Sequence, residues 1–192
     1  MTELPLDFDS ILAYLIPGFI VLAGLSFLSP NLQRLFREPP RHSASTLLLL
    51  TIVALVAGIL LGDVRVATLQ PTCRIDLKWI SREPSFASIP REPVAYGKLI
   101  EEGRLKAFQE AKRNEQTPYR FHGNTLLAVT VFVLARVIAL SKVSSATISK
   151  RSRIRGIIAA ILLFLISIII LYPAFRTRYY NYTNAVRSIN QA

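Results

Sequence analysis

The sequence is poor in the groups from which soluble enzymes build active sites. Its 192 residues hold one cysteine, Cys73, and two histidines, His42 and His122. A lone cysteine excludes a disulfide scaffold, and a catalytic thiol would need a histidine partner. No GxxxxGK[ST], HExxH, CxxC or GxSxG motif occurs, which removes the common phosphate-cradling, zinc and serine-nucleophile arrangements. Charged residues make up only 18% of the chain, against about 25% in ordinary soluble domains. Acids stop at Glu115, and the ten basic residues that follow have no acidic counterpart. The first ten residues hold Glu3, Asp7 and Asp9 but no Lys or Arg. A cleaved signal peptide begins with cations, so the first apolar run reads as a retained span.

What the chain has instead is apolar residues in blocks. Hydrophobic residues are 52% of the total and mean hydropathy is +0.40. Four runs stand out, 11–28, 44–62, 123–140 and 156–174, and Arg136 is the only charge inside any of them. A bilayer core about 30 Å thick takes about 20 residues of helix, and a soluble bundle would interrupt such runs with polar positions every third or fourth residue. The expected fold is an all-α membrane protein with four transmembrane helices arranged as two hairpins. The first hairpin occupies 1–62, a small extramembrane module 63–122, the second hairpin 123–175 and a basic, aromatic tail 176–192. Within the module, Pro71, Pro84 and Pro90 predict extended or irregular backbone over 63–92. The proline-free stretch 94–116 predicts a helix. Sixty residues are too few for a large core, so the module should lean on the membrane, on a partner or on its own copies.

Net charge is +11. In a soluble protein that would suggest nucleic acid, but here the cations flank apolar runs, where they meet lipid phosphates and fix topology. The loops 29–43 and 141–155 carry eight basic residues. Basic residues within about 15 residues of a span end are similarly numerous on the other side, so counting leaves the orientation open; the second loop lacks any acid, which favours both termini on the side away from the cytoplasm.

Several positions invite a functional reading beside a structural one. Ala54, Gly58 and Gly62 repeat at four-residue spacing, a stripe that lets helices approach closely within a chain or between chains. Gly156 and Ala160, and Ala135 and Ala139, repeat the spacing more weakly. Pro17-Gly18 sits mid-span, where proline frees a carbonyl and gives either a static bend or a gating hinge. Arg136 either snorkels to the basic loop at Ser141-Lys142 or faces a pore. Tyr172, Phe175, Tyr179, Tyr180 and Tyr182, with Arg176 and Arg178 between them, read as an interfacial belt. The same composition serves single-stranded nucleic acid, but its place directly after a span argues against direct nucleic-acid binding. Arg37 and His42 have the R-x4-H spacing of HEPN-type ribonucleases, yet Pro39 and Pro40 deny that motif its helix. No cofactor or metal site is expected, and no enzymatic activity.

Two stretches carry a resemblance. Asp9-Ser10-Ile11-Leu12-Ala13-Tyr14-Leu15-Ile16-Pro17-Gly18-Phe19 and Pro118-Tyr119-Arg120-Phe121-His122-Gly123-Asn124 resemble segments of four-span membrane proteins from bacterial antiphage defence loci. The layout is similar to the membrane subunit family of the Kiwa system and to small membrane accessories of RNA-targeting CRISPR systems. The resemblance implies a non-enzymatic sensor or anchor in the bacterial inner membrane. It further implies a homo-oligomer that works with a cytoplasmic effector acting on nucleic acid. The residues leave a second function open, an oligomeric pore that depolarises the membrane. The small-residue stripe, together with an insert too small to stand alone, predicts self-association, most simply as a tetramer.

Overall fold

The computed structural model describes residues 8–37, 44–81, 109–142 and 149–191. Of these, 97% are helical and none is in a strand. The elements are α1 (Phe8–Ser26), α2 (Pro30–Arg37), α3 (Ala44–Ser81), a π turn (Lys112–Gln116), α4 (Thr117–Lys142) and α5 (Lys150–Gln191). Among the described residues three helical stretches, Ala44–Thr72, Gln109–Lys142 and Lys150–Val186, are long and apolar enough to cross a membrane, as in a multi-pass membrane protein. The apolar part of α1, Ile11–Ser26, is shorter.

Local chemistry sets the helix ends. Ser29 caps α2: its Oγ accepts from the Leu32 amide at 3.5 Å, and Pro30 takes the first helical position, where its missing N–H costs nothing. Ser149 caps α5, accepting from the Ser152 amide at 3.3 Å. The π turn ends just before Pro118. Such a widened turn relieves the clash between a proline ring and the carbonyl one turn back, so the helix runs on.

Packing follows the order α3, α1, α4, α5. Helix α1 lies against α3 on one side and as extensively against α4 on the other, and α5 covers α4. The first three meet at the buried cluster Val21, Leu61 and Ala128. The outward faces stay apolar, with Leu48, Leu49 and Leu60 on α3 and Ile166, Ile169 and Ile170 on α5 all exposed. Those faces are what lipid would cover.

Two parts of the expected layout change. The boundary at 62 falls inside a helix, because α3 continues through Pro71 to Ser81 where extended backbone was expected. Its stretch past Gly62 is held by tertiary packing, since Leu69 sits against the aromatic cluster described below. The boundary at 175 likewise falls inside α5, which runs through Pro173 to Gln191. The helix expected over 94–116 is present over the described part, 109–116, and its earlier residues lie outside the described ones. The loop 29–43 contains α2, whose Leu32, Leu35 and Phe36 are half-buried while Asn31 and Arg34 are exposed.

Candidate functional site

The densest polar arrangement begins with a missing hydrogen. Pro17 has no N–H, so the carbonyl of Ala13, one turn earlier in α1, has no donor within its own helix. Asn124 of α4 supplies one: its Nδ2 donates to the Ala13 carbonyl at 3.3 Å. The same side chain accepts through Oδ1 from Nε of Arg65 on α3 at 3.1 Å. Asn124 is wholly buried and Arg65 is 3% exposed. One asparagine thus ties three helices together, and it uses the two stretches that carry the resemblance.

Arg65 reaches this position because of Gly123. A Cβ at Gly123 would meet Arg65 Cδ and the Phe175 ring, so only glycine leaves room for the arginine stem. The guanidinium ends over the ring of Tyr119, 4.8 Å from its centroid, a favourable cation–π placement. Its Nη1 is buried with no hydrogen-bond partner.

Beyond Arg65, Tyr119 packs with Phe175, Tyr179, Tyr182 and Val186 as a buried cluster. Tyr119 meets Tyr179 edge-on at 5.6 Å, and Phe175 stacks on Tyr179 at 6.1 Å. Arg178 and Glu115 close the outside of this cluster with an exposed ion pair at 3.2 Å. Three of the five aromatics expected as an interfacial belt are therefore core. Each lies three or four residues from the next in α5, one helix face, and α4 supplies the surface they cover. Tyr180 alone of the five stays exposed, at 37%.

The structure also gives partners to the other singled-out positions. The stripe of Ala54, Gly58 and Gly62 faces α1 of the same chain. A Cβ at Gly58 would overlap the Tyr14 carbonyl, and one at Gly18 would overlap the Ala54 carbonyl. The stripe is thus spent on the α1–α3 contact, and a second copy would have to use another surface. Pro17 is fully buried, Gly18 lies against the Ala54 backbone, and the carbonyl freed by Pro17 is held by Asn124. Arg136 is half-buried and lies 4.6 Å from the Phe27 ring centroid, at the turn between α1 and α2. That is the end of the bundle to which snorkelling would take it. His122 starts the apolar part of α4; His42 lies outside the described residues.

Sequence reasoning missed Arg65 and Asn124. Arg65 was assigned to the insert, yet it continues the buried row Ala54, Gly58, Leu61 and Gly62 at helical spacing. That periodicity was the available signal, once α3 is carried past Gly62. Asn124 was legible only as a polar residue in an otherwise apolar run. Among the described residues no three of His, Cys, Asp and Glu gather as a metal site. No protein-family model, no curated protein and no solved structure matches the chain.

Proposed function

We propose that the chain is a non-enzymatic membrane subunit that senses on one side of the bilayer and engages a partner protein on the other. The observation behind this reading is the extension of two helices past their apolar runs. Helix α5 has 42 residues and α3 has 38, so at 1.5 Å per residue they are about 63 and 57 Å long. A bilayer core is about 30 Å thick. Both therefore project as a stalk on the side of the N-terminus of α1, clamped by the aromatic cluster. The stalk connects to the bundle through Arg65, Asn124 and Ala13, so an event on it has a packed route into the membrane.

The opposite end carries α2 and the cations Arg34, Lys142, Lys150 and Arg151. We place that end in the cytoplasm because residues 141–155 hold five cations and no acid, a density that the positive-inside rule favours there, and it would meet the effector there. The bacterial inner membrane, the antiviral setting and an effector that acts on nucleic acid rest on the resemblance of the two stretches. A homo-oligomer, with a tetramer favoured, belongs to the same proposal, through a surface other than the glycine stripe. The pore reading loses its motivation, since Arg136, Pro17-Gly18 and the stripe all have packing partners inside one chain.

A photo-crosslinking residue in place of Asn31 in α2, compared with one at Thr68 on the stalk, tests the arrangement. The soluble product of an adjacent gene should crosslink at position 31 and not at 68. Crosslinking at 68 alone, or full biological activity without any adjacent gene, would overturn the reading.

A further inference from the structure

Arg65 carries a full charge at 3% exposure, and its bonding is incomplete. Of its five N–H donors, Nε–H is used on the neutral Asn124, and Nη1 is buried without an acceptor. Tyr119 contributes a ring face, not a charge. Among the described residues no carboxylate forms an ion pair with it, and Glu115 is engaged by Arg178. A buried cation without a counter-charge is costly, because it loses hydration that nothing replaces. The arrangement is nevertheless built for this side chain: Gly123 makes room for its stem and Asn124 orients its Nε. Height matters as well. Arg65 lies three residues past Gly62, where the apolar run of α3 ends, the level at which lipid headgroups sit. Basic pockets between membrane helices at that level hold anionic headgroups.

We propose that Arg65 binds a phosphate oxyanion through Nη1 at the junction of bundle and stalk once the side chains that cover this buried atom part, the anion being either the headgroup phosphate of an anionic lipid or free phosphate. The anion supplies the acceptor and the negative charge that the described chain does not, and Asn124 and Tyr119 hold the guanidinium ready for it. This goes beyond the anchoring role and stands whether or not a partner protein exists.

The test uses the full chain purified in an uncharged maltoside detergent. Thermal unfolding is followed with added phosphatidylglycerol, with a neutral glycolipid lacking phosphate, and with inorganic phosphate alone. Phosphatidylglycerol at about 100 times its dissociation constant should raise the midpoint by about 5–10 °C, and the glycolipid should not. An equal shift with inorganic phosphate identifies the free anion as the source and supports the site. Arg65→Met removes the charge and keeps a long apolar stem. Its midpoint in lipid-free detergent, lowered by the loss of the donor to Asn124, is the baseline, and it should show no phosphatidylglycerol shift above that baseline. Arg65→Gln removes the charge but keeps an N–H donor for the buried Asn124 Oδ1 and should also be insensitive to the lipid; it decides the matter if Arg65→Met does not fold. A full shift retained in either variant overturns the proposal. So does equal stabilisation by the glycolipid, or an Arg65→Met loss that is the same with and without anionic lipid, which marks a purely structural arginine.

Discussion

At the scale of single residues, what matters is whether the neighbour of a small side chain can yield. At Gly58 a Cβ would press on the Tyr14 carbonyl, which is backbone and cannot turn aside. At Gly62 it would lie 3.2 Å from Tyr14 Cε1, the far end of a side chain that moves by a few tenths of an ångström. Overpacking of a tight contact costs about 1–3 kcal/mol or more. We therefore expect Gly58→Leu to lower the thermal midpoint steeply or to prevent folding, and Gly62→Ala to stay within about 0.5 kcal/mol of the parent. Because both lie inside one chain, the Gly58→Leu damage should read out as lost folded protein in a thermal-stability assay. A well-folded variant that differs only in particle mass by size exclusion would instead place the stripe between copies. Pro17 belongs to this scale too: one missing N–H in α1 dictates where α4 must offer a donor.

At the scale of elements, the stalk depends on aromatic packing more than on helix propensity. Isolated helical segments of this length are marginal in water unless a face is buried. The face here is Phe175, Tyr179, Tyr182 and Val186, four residues that recur every three or four positions. Phe175 is completely buried, and truncating such a ring costs about 3–5 kcal/mol. Phe175→Ala should loosen the end of α5 from α4 and break the exposed ion pair of Arg178 with Glu115. Limited trypsin digestion should then cut after Arg176 or Arg178 at least several-fold faster, while the apolar runs remain protected. An unchanged cleavage rate would mean that the stalk is held by something other than this cluster. The same packing holds α3 beyond its apolar run as far as Leu69, two residues before Pro71.

At the scale of the whole molecule, the charge distribution and the helix lengths must agree on one orientation. Both ends carry cations, but residues 141–155, between α4 and the start of α5, hold five of them and no acid, and the stalk lies at the other end. We expect the stalk outside the cytoplasm. In a Cys73→Ser background, Thr68→Cys on the exposed side of the stalk should react with a membrane-impermeant maleimide in intact cells. Ser152→Cys, exposed at the basic end, should react only after lysis. The reverse pattern would invert the molecule and place the stalk beside the cytoplasmic partner.

The apolar runs, the basic flanks and the requirement for helices follow from the sequence alone, because hydrocarbon leaves a backbone no other way to satisfy its polar groups than helices or closed barrels. So did the location of a close helix contact at Gly58, since only small residues admit one. What the sequence did not decide is which surface each feature meets. Helices apolar all round carry little periodic signal, so α3 and α5 show no obvious buried face through their membrane runs. Only the tertiary structure decided that the stripe meets Tyr14, that the freed Ala13 carbonyl meets Asn124, and that Arg65 passes beneath Gly123 into the interior. The tail aromatics show the same division: their spacing is visible in the chain, but whether that face meets lipid or Tyr119 depends on where α4 stands.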